Sequence, residues 1–412
     1  MKMSAGILEK SLFAVALTGI LGIGYAQVDT TSEHYFLYTY FYNAEQDSGF
    51  RMAVSSDGVN WVKINDEKPI FAPTAGVEKL ARDPGMWFDP ATGVFHLVWQ
   101  TGWNENGIGY ATSKDLTTWS DQRYLPVGEK IPNSQCCWGP EIFYDDINDS
   151  IMVYWSTDFG EGGKRSFYVM TRDFVTFSDP VKLFDPGYTE IDASIIKYSE
   201  GMYYLFFKDE REPALAGKRS KNIHYVYGPT PQGPWWVGPW DGASEPITNP
   251  GCEGPSPIMI GDELRVYFDF YVNPSSTYGM VTVTGDPASV TEFPWTEGDT
   301  MKLKEEPFCP SSGSVIEIPR GYIMSLLYGA PLPSIADNAV IRDNSRFRQL
   351  SIARRENVKA YNLLGRNVAV RRNSNNAASV NRRMFQTAPG VLLVKPAESG
   401  SQSILTIKAE RP

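Results

Sequence analysis

Histidine, cysteine and excess basic charge are scarce in this chain. Three histidines and four cysteines occur in 412 residues, and no spacing among them resembles a zinc site. Lys and Arg number 38 against 48 Asp and Glu, a net charge of −10, which argues against nucleic acid as a partner because phosphate binding needs a basic face. Beyond the N-terminus, no stretch is apolar enough for a membrane span. A neutral or weakly charged ligand is favoured.

The N-terminus has the pattern of an export signal. Lys2 precedes an apolar stretch from Leu12 to Ile23, which ends in small residues before the polar Gln27. The apolar stretch is too short to span a bilayer, so we predict a cleaved signal peptide over residues 1–26, with an uncleaved anchor as the alternative. The protein is then expected to be secreted or held at the cell surface.

A turn followed by an aromatic residue recurs along the chain. The copies end at Trp61, Trp119, Phe177, Trp236 and Phe293, with spacings of 58, 58, 59 and 57 residues. Each period also holds short β-rich runs separated by Gly, Asp and Asn, and amphipathic helices are not evident. Five repeats of about four strands predict an all-β fold, a five-bladed β-propeller over residues 30–329; a stacked solenoid is the alternative.

Closure of the ring should join the two ends of this domain. The segment Ser314–Leu327 is expected to supply the first strands of a blade and Tyr35–Ile64 the later ones. After about residue 330 the composition becomes basic, with 14 Lys and Arg against 5 Asp and Glu. Short β-type runs there predict a small C-terminal β-domain over residues 345–412. A sugar-binding β-sandwich is one form that it could take.

An acidic residue stands just before the first strand of four successive repeats, at a nearly constant offset. The four are Asp83, Glu141, Asp192 and Glu253. Because the first strand of each blade lines the central channel, they should converge at one mouth. Neighbouring carboxylates raise one another's pKa, which separates a proton donor from a base. Calcium binding and simple turn capping are the alternatives.

In these ordered motifs, residues 30–329 resemble glycoside hydrolase family 43. The family comprises five-bladed inverting enzymes that remove arabinofuranosyl, xylosyl or, less often, galactosyl units from plant polysaccharides. The resemblance implies Asp83 as general base, Asp192 as the carboxylate that tunes the acid and positions substrate, and Glu253 as general acid. Glu141 would lie in the site without being one of the three. Many members place a channel histidine beside a calcium ion, where this chain has Ser311-Ser312-Gly313-Ser314.

Further expectations follow from the resemblance. The substrate is carbohydrate, no cofactor or metal is required, and a central calcium ion is the alternative. Residues near the mouth are expected to hold sugar through aromatic faces and polar groups, namely Trp103, Trp138, Glu141, Lys208 and Asp209. The C-terminal segment resembles the sorting domains of secreted bacterial proteins, which would bring it into contact with a secretion machinery.

Two other functions share the predicted fold. A retaining fructan hydrolase of the invertase-like families would use an Arg-Asp-Pro motif, present here as Arg82-Asp83-Pro84, but it also needs an Asn-Asp-Pro nucleophile that is missing between Gln27 and Lys79. A propeller that binds glycan without chemistry is the other possibility, against which the presence of all three family acids argues.

Overall fold

A computed structural model describes residues 28–43, 48–213, 220–236, 242–271, 277–284, 287, 296–297 and 310–332, with short strands between residues 360 and 394. The predicted signal peptide, residues 1–26, and most of the predicted C-terminal β-domain lie outside this part of the chain. The described residues form an all-β five-bladed propeller, which confirms the predicted fold class.

Each blade is an antiparallel sheet whose first strand is innermost. Blade I has the order β19-β1-β2-β3, while blades II to V take consecutive strands, β4–β7, β8–β11, β12–β14 and β15–β18. The strands of blades I to III are β1 Phe36–Phe41, β2 Arg51–Ser55, β3 Val62–Lys63, β4 Arg82–Asp89, β5 Val94–Gln100, β6 Ile108–Ser113, β7 Arg123–Leu125, β8 Trp138–Asp145, β9 Ser150–Asp158, β10 Lys164–Thr171 and β11 Val181–Phe184.

The remaining elements complete blades IV, V and I and the C-terminal segment. The strands are β12 Glu190–Ser199, β13 Met202–Asp209, β14 Ile223–Gly228, β15 Cys252–Ile260, β16 Glu263–Phe270, β17 Thr277–Thr284, β18 Thr296–Glu297 and β19 Ser311–Glu317, then β20 Ala360–Tyr361, β21 Asn367–Val368, β22 Val370–Arg372, β23 Ala378–Val380 and β24 Leu393–Val394. Among the described residues the helices are a nine-residue α-helix, α1 Arg320–Tyr328, and two 3₁₀ turns, Asn65–Glu67 and Gly160–Gly162. No helix in the described ranges is long and apolar enough to cross a membrane.

Strand β19 closes the ring by pairing with β1. The two strands are antiparallel, with Tyr38 opposite Val315 and Phe36 opposite Glu317. This pairing joins the two ends of the domain as the sequence predicts, and it covers the edge that each strand would otherwise expose. Blade I is therefore built from both ends of the domain, with β1, β2 and β3 from its start and β19 from its end.

The prediction that the whole of Ser314–Leu327 forms strands was wrong beyond Glu317, where β19 ends. The position beside β19 is already occupied by β1, and the chain turns into α1 after Pro319. The helix buries the ring of Tyr322 against Phe88 and Phe95, with centroids 5.4 and 4.9 Å away. Tertiary packing on blade II thus overrides the strand propensity of the apolar run.

The recurrent turn has the same hydrogen bonds in three blades. In blade II, Ser113 Oγ accepts the amide of Leu116 at 2.8 Å, and Asp115 Oδ1 accepts the amides of Thr117 and Thr118 at 2.8 and 2.6 Å. Leu116 is left-handed, with φ of 64°. The equivalent turns span residues 55–60 and 171–176. The turn sets the start of the blade's last strand, which explains the constant period.

Candidate active site

The inner strand of every blade carries a β-bulge at the same end. In each, four residues of the inner strand oppose three of its neighbour, at Arg82–Gly85, Trp138–Glu141, Ile191–Ser194, Glu253–Ser256 and Ser311–Ser314. A bulge bends the strand and re-aims the side chains beside it. Five bulges at one end of the channel therefore direct five short segments at a common space.

Aspartate and glycine alternate at the left-handed position of these bulges. Asp83 and Asp192 have φ of 48° and 59°, and Gly139 and Gly254 have φ of 52° and 58°. Each glycine amide donates to the aspartate of the preceding blade: Gly139 to the Asp83 carboxylate, and Gly254 to Asp192 Oδ2 at 3.1 Å. Non-glycine residues with positive φ are uncommon and concentrate at functional sites.

The expectation that the four acids share one offset was wrong in detail. Strand register makes Glu253 equivalent to Arg82, one residue before the bulge aspartate, while Glu141 is equivalent to Gly85, two residues after it. Only Asp83 and Asp192 occupy the same position. The four acids thus occupy three different register positions at the bulge.

One pocket collects these segments at the mouth of the channel. It has an empty volume of about 320 Å³, including the part open to solvent, and three of the predicted acids line it, Asp83, Glu141 and Asp192. Gly254 also lines it, and the carboxylate of the preceding Glu253 interacts electrostatically with Asp83 and Asp192. Four carboxylates from four blades therefore share one electrostatic environment.

Burial and mutual repulsion shift the acids toward their neutral forms. Burial raises the pKa of Asp83 to about 6, against the opposing field of Arg82. Burial and the neighbouring Glu253 raise the pKa of Asp192 to about 8. The pKa of Glu141 also rises to about 8, through burial and the charges of Asp192 and Asp83. At neutral pH the pocket consequently offers an ionised carboxylate beside protonated ones, which is the separation that acid–base chemistry needs.

Lys208 reaches the Glu253 carboxylate from the second strand of blade IV. Its Nζ donates to Glu253 Oε2 at 2.6 Å and lies 3.1 Å from Glu210 Oε2. Although burial opposes the charge, the carboxylates of Glu253 and Glu210 raise the pKa of Lys208 above its ordinary value. Lys208 is therefore a fixed cation at the predicted acid.

Asp209, predicted beside Lys208, lies elsewhere. Its carboxylate is fully buried and bound by the guanidinium of Arg211, with Nη2 2.6 Å from Oδ2. Successive residues of a strand point to opposite faces, so the two neighbours could not both enter the pocket. Asp209 thus contributes to the packing of blade IV.

Trp103 and Trp138 form an aromatic corner beside the pocket. Their rings meet edge to face with centroids 6.1 Å apart, and the Trp138 indole N–H donates to the Trp103 carbonyl at 3.0 Å. The Arg82 guanidinium lies 4.4 Å from the centre of the Trp103 ring, and Trp103 is 40% exposed. Because Arg82 and Trp138 immediately precede pocket residues, the corner adjoins the mouth and offers aromatic faces of the kind that sugars contact.

Sequence reasoning missed Asp269. This residue lies opposite Glu253 in the strand pair β15–β16 and is 1% exposed. Burial and the charge of Glu253 raise its pKa well above the ordinary aspartate value. A signal was present: Gln100, Ser156, Lys208 and Asp269 each follow a buried aromatic residue at the same position of the second strand.

The last inner strand, β19, carries Ser311-Ser312-Gly313-Ser314 at the bulge. No group of three or more His, Cys, Asp or Glu side chains in the described part of the chain is arranged to hold one. The Oγ of Ser314 accepts the amide of Met86 at 2.9 Å. The hydroxyl therefore serves to join blades I and II.

A protein family and a curated relative match parts of this chain. Residues 33–320 match the family described as "Probable glycosyl hydrolase domain", which is related to glycoside hydrolase family 43. An alpha-L-arabinofuranosidase of Bifidobacterium longum subsp. longum is 28% identical over 135 residues, which is 27% of this chain and 13% of that protein. The chain thus matches only a small part of the length of this curated relative.

Solved structures with similar folds are distant in sequence. An endo-1,4-beta-xylanase from Bacteroides thetaiotaomicron is 17% identical, with a TM-score of 0.48, covering 69% of this chain and 95% of the other. An alpha-L-arabinanase of Cellvibrio cellulosa is 15% identical, with a TM-score of 0.45, covering 64% and 91%.

Proposed function

Because the chain belongs to the family of glycosyl hydrolases related to family 43, we propose that it cleaves glycosidic bonds of plant polysaccharides or oligosaccharides by a single inverting displacement. The observation that carries the proposal is the convergence of Asp83 and Asp192 on one pocket, with the Glu253 carboxylate close enough to interact electrostatically with both. Asp83 is the more readily ionised of the two aspartates. A hydrolase of this type needs one carboxylate as base and one carboxyl as acid.

Asp83 has the features of the base. Its pKa of about 6 leaves it ionised at neutral pH, and the Gly139 amide favours this ionised form. It takes a proton from water as the water oxygen attacks the anomeric carbon of the sugar. The bond to the leaving oxygen breaks in the same step, on the opposite face of the ring.

Glu253 is proposed to give its proton to the leaving oxygen. Burial and the charge of Glu253 raise the pKa of Asp192 to about 8, so Asp192 favours its protonated form beside the proposed acid. Asp192, whose carboxylate accepts the Gly254 amide, adjusts how readily Glu253 gives up its proton and contacts the sugar. Water loses one proton to Asp83 and the leaving sugar gains one from Glu253, so the overall reaction is hydrolysis with both carboxyl groups restored by exchange with solvent.

The substrate proposed is a terminal α-L-arabinofuranosyl or β-D-xylosyl unit. Support comes from the partial similarity to an alpha-L-arabinofuranosidase and from the family resemblance of the motifs. The Trp103–Trp138 corner would stack against the neighbouring sugar, and Glu141 would contact the sugar in the pocket. No cofactor is invoked. We also propose that residues 1–26 direct export and that residues 345–412 contact a secretion machinery, so that the enzyme acts outside the cell.

The first test is hydrolysis of p-nitrophenyl α-L-arabinofuranoside, β-D-xyloside and β-D-galactoside, followed by arabinan and xylan oligosaccharides. The protein should release one sugar, and Asp83→Asn should lose at least about 10³-fold in kcat/KM. Asp89→Asn, at the other end of the same strand, is the matched control and should retain activity. Activity that survives Asp83→Asn would remove Asp83 from the role of base.

The acid and the stereochemistry are tested separately. Glu253→Gln should abolish hydrolysis of oligosaccharides while leaving the fold intact, whereas Glu263→Gln in the same blade should not. Proton NMR of the first product should show inverted anomeric configuration. Retention would instead favour the double displacement of the invertase-like enzymes.

A further inference from the structure

A second ring of side chains supports the pocket from behind. The second strands of blades II to V place Gln100, Ser156, Lys208 and Asp269 at one register position, opposite the residue that precedes each bulge position. Ser156 Oγ accepts the amide of Asp192 at 3.0 Å, which fixes a bulge of the next blade. Members of this ring can therefore act on the pocket through the residues in front of them.

Lys208 is the cation of that ring, and its contacts leave little for a ligand. The side chain is 4% exposed. Its ammonium lies 2.6 Å from Glu253, 3.1 Å from Glu210 and 4.7 Å from the centre of the Tyr271 ring. Two carboxylates and an aromatic face thus occupy the three directions in which an ammonium donates. A role in holding sugar hydroxyls does not fit this burial.

We propose that Lys208 is a positioning residue that acts through Glu253, stabilising the carboxylate that forms when Glu253 gives its proton to the leaving sugar. The inference rests on the proposed glycosidase function. A cation at 2.6 Å stabilises the negative charge that develops on Glu253 during the reaction, and does so without touching substrate. It also fixes the direction of the carboxyl, because one of its two oxygens, Oε2, is held by the ammonium.

Glu210 is the second part of the arrangement. It is bound on its other side by Lys221, whose Nζ lies 3.1 Å from Glu210 Oε2 and 3.3 Å from Glu212. Glu210 is therefore paired with Lys221 as well as with Lys208, so its negative charge is shared between two cations. Lys221 does not reach Glu253, and this makes Lys221→Met a control that removes one positive charge from the same cluster.

The experiment compares two substrates that carry the same sugar. An oligosaccharide has a poor leaving group that needs the proton, whereas a p-nitrophenyl glycoside leaves with little help. Lys208→Met should lower kcat on the oligosaccharide about 100-fold and on the nitrophenyl glycoside by less than about fivefold, with KM nearly unchanged. Lys208→Arg should restore most of kcat, and Lys221→Met should resemble the wild type.

Two double variants distinguish the proposed role of Lys208 from a loss of folding. Lys208→Met combined with Glu210→Gln keeps the local charge and should show the same selective loss. On the nitrophenyl substrate, adding Lys208→Met to Glu253→Gln should cost less than about twofold, because both changes remove the same function. Equal losses on both substrates, or a rise in KM alone, overturn the proposal. A wild type that hydrolyses no glycoside overturns the proposed function and this inference with it, whereas an active wild type with unaltered kcat in Lys208→Met overturns the inference only.

Discussion

The amide of Gly254 donates to Asp192 Oδ2 at 3.1 Å, and this bond joins the bulges of two neighbouring blades. The glycine is left-handed, with φ of 58°, and a Cβ added to it would lie 2.6 Å from Ser312 Oγ and 2.8 Å from Ser312 Cβ. The same residue therefore contacts the blade before it and the blade after it. The pocket depends on both contacts.

Replacing Gly254 by alanine should damage stability and activity together. The left-handed backbone and the contact with Ser312 should cost about 3 kcal/mol in the free energy of unfolding. Displacement of the amide from Asp192 should lower kcat more than tenfold. Urea unfolding and kinetics on the preferred glycoside measure the two effects. Gly261→Ala, with φ of 62° and no atom within 4 Å of the added Cβ, should cost only about 1 kcal/mol and keep activity.

The acidic limb of the rate profile should report Asp83. With its pKa raised by burial to about 6, Asp83 becomes protonated and inactive as base when the pH falls through 6. Arg82→Met removes a cation that favours the ionised form, so the limb in kcat/KM should move upward by about one pH unit. Arg82→Lys keeps the charge and should leave the limb in place. If the acidic limb of kcat/KM lies at the same pH in both variants, it does not report the protonation of Asp83.

Glu141→Gln should stabilise the protein at alkaline pH. The pKa of Glu141 is raised from 4.5 to about 8, so the folded protein binds the proton more tightly than the unfolded chain. Stability contributed by this proton is present below pH 4.5 and is lost as the pH rises through 8. The amide stays neutral, so the variant should gain roughly 2 kcal/mol at pH 8.5, less than the full shift because the side chain is partly exposed, and nothing at pH 4. Thermal unfolding at both pH values, with the exposed Glu129→Gln as control, decides the matter.

Asp115→Ala should weaken the turn of blade II. Its carboxylate accepts two backbone amides, which alanine leaves without these acceptors. The expected loss in the free energy of unfolding is about 1 kcal/mol, since the turn is exposed and water replaces part of the bonding. Asp115→Asn should keep most of the stability, and Asp121→Ala should be neutral. A loss confined to Asp121→Ala would contradict the assigned role of the turn.

The local patterns in the sequence were sufficient for the architecture. The turn Ser113–Thr118 folds through bonds between residues two to three apart, so its copies can be recognised directly, and their spacing predicts five blades. The strand pairing that joins the two ends of the propeller domain was also predictable, because a propeller without it would keep exposed strand edges. The helix α1 was not, since its alternative as a strand is excluded only by β1 already lying beside β19.

The identity of the acids was determined by the sequence, and their arrangement by the tertiary structure. Asp83, Glu141, Asp192 and Glu253 stand out in the sequence because each precedes an apolar β-rich run, yet their different positions depend on where each bulge falls in its sheet. Lys208 and Asp209 are adjacent in the chain and both buried, but the pleat directs Lys208 to Glu253 and Asp209 to Arg211. Which side chains meet, and what charge each carries, follows from register and burial, and both arise only when blades distant in sequence pack together.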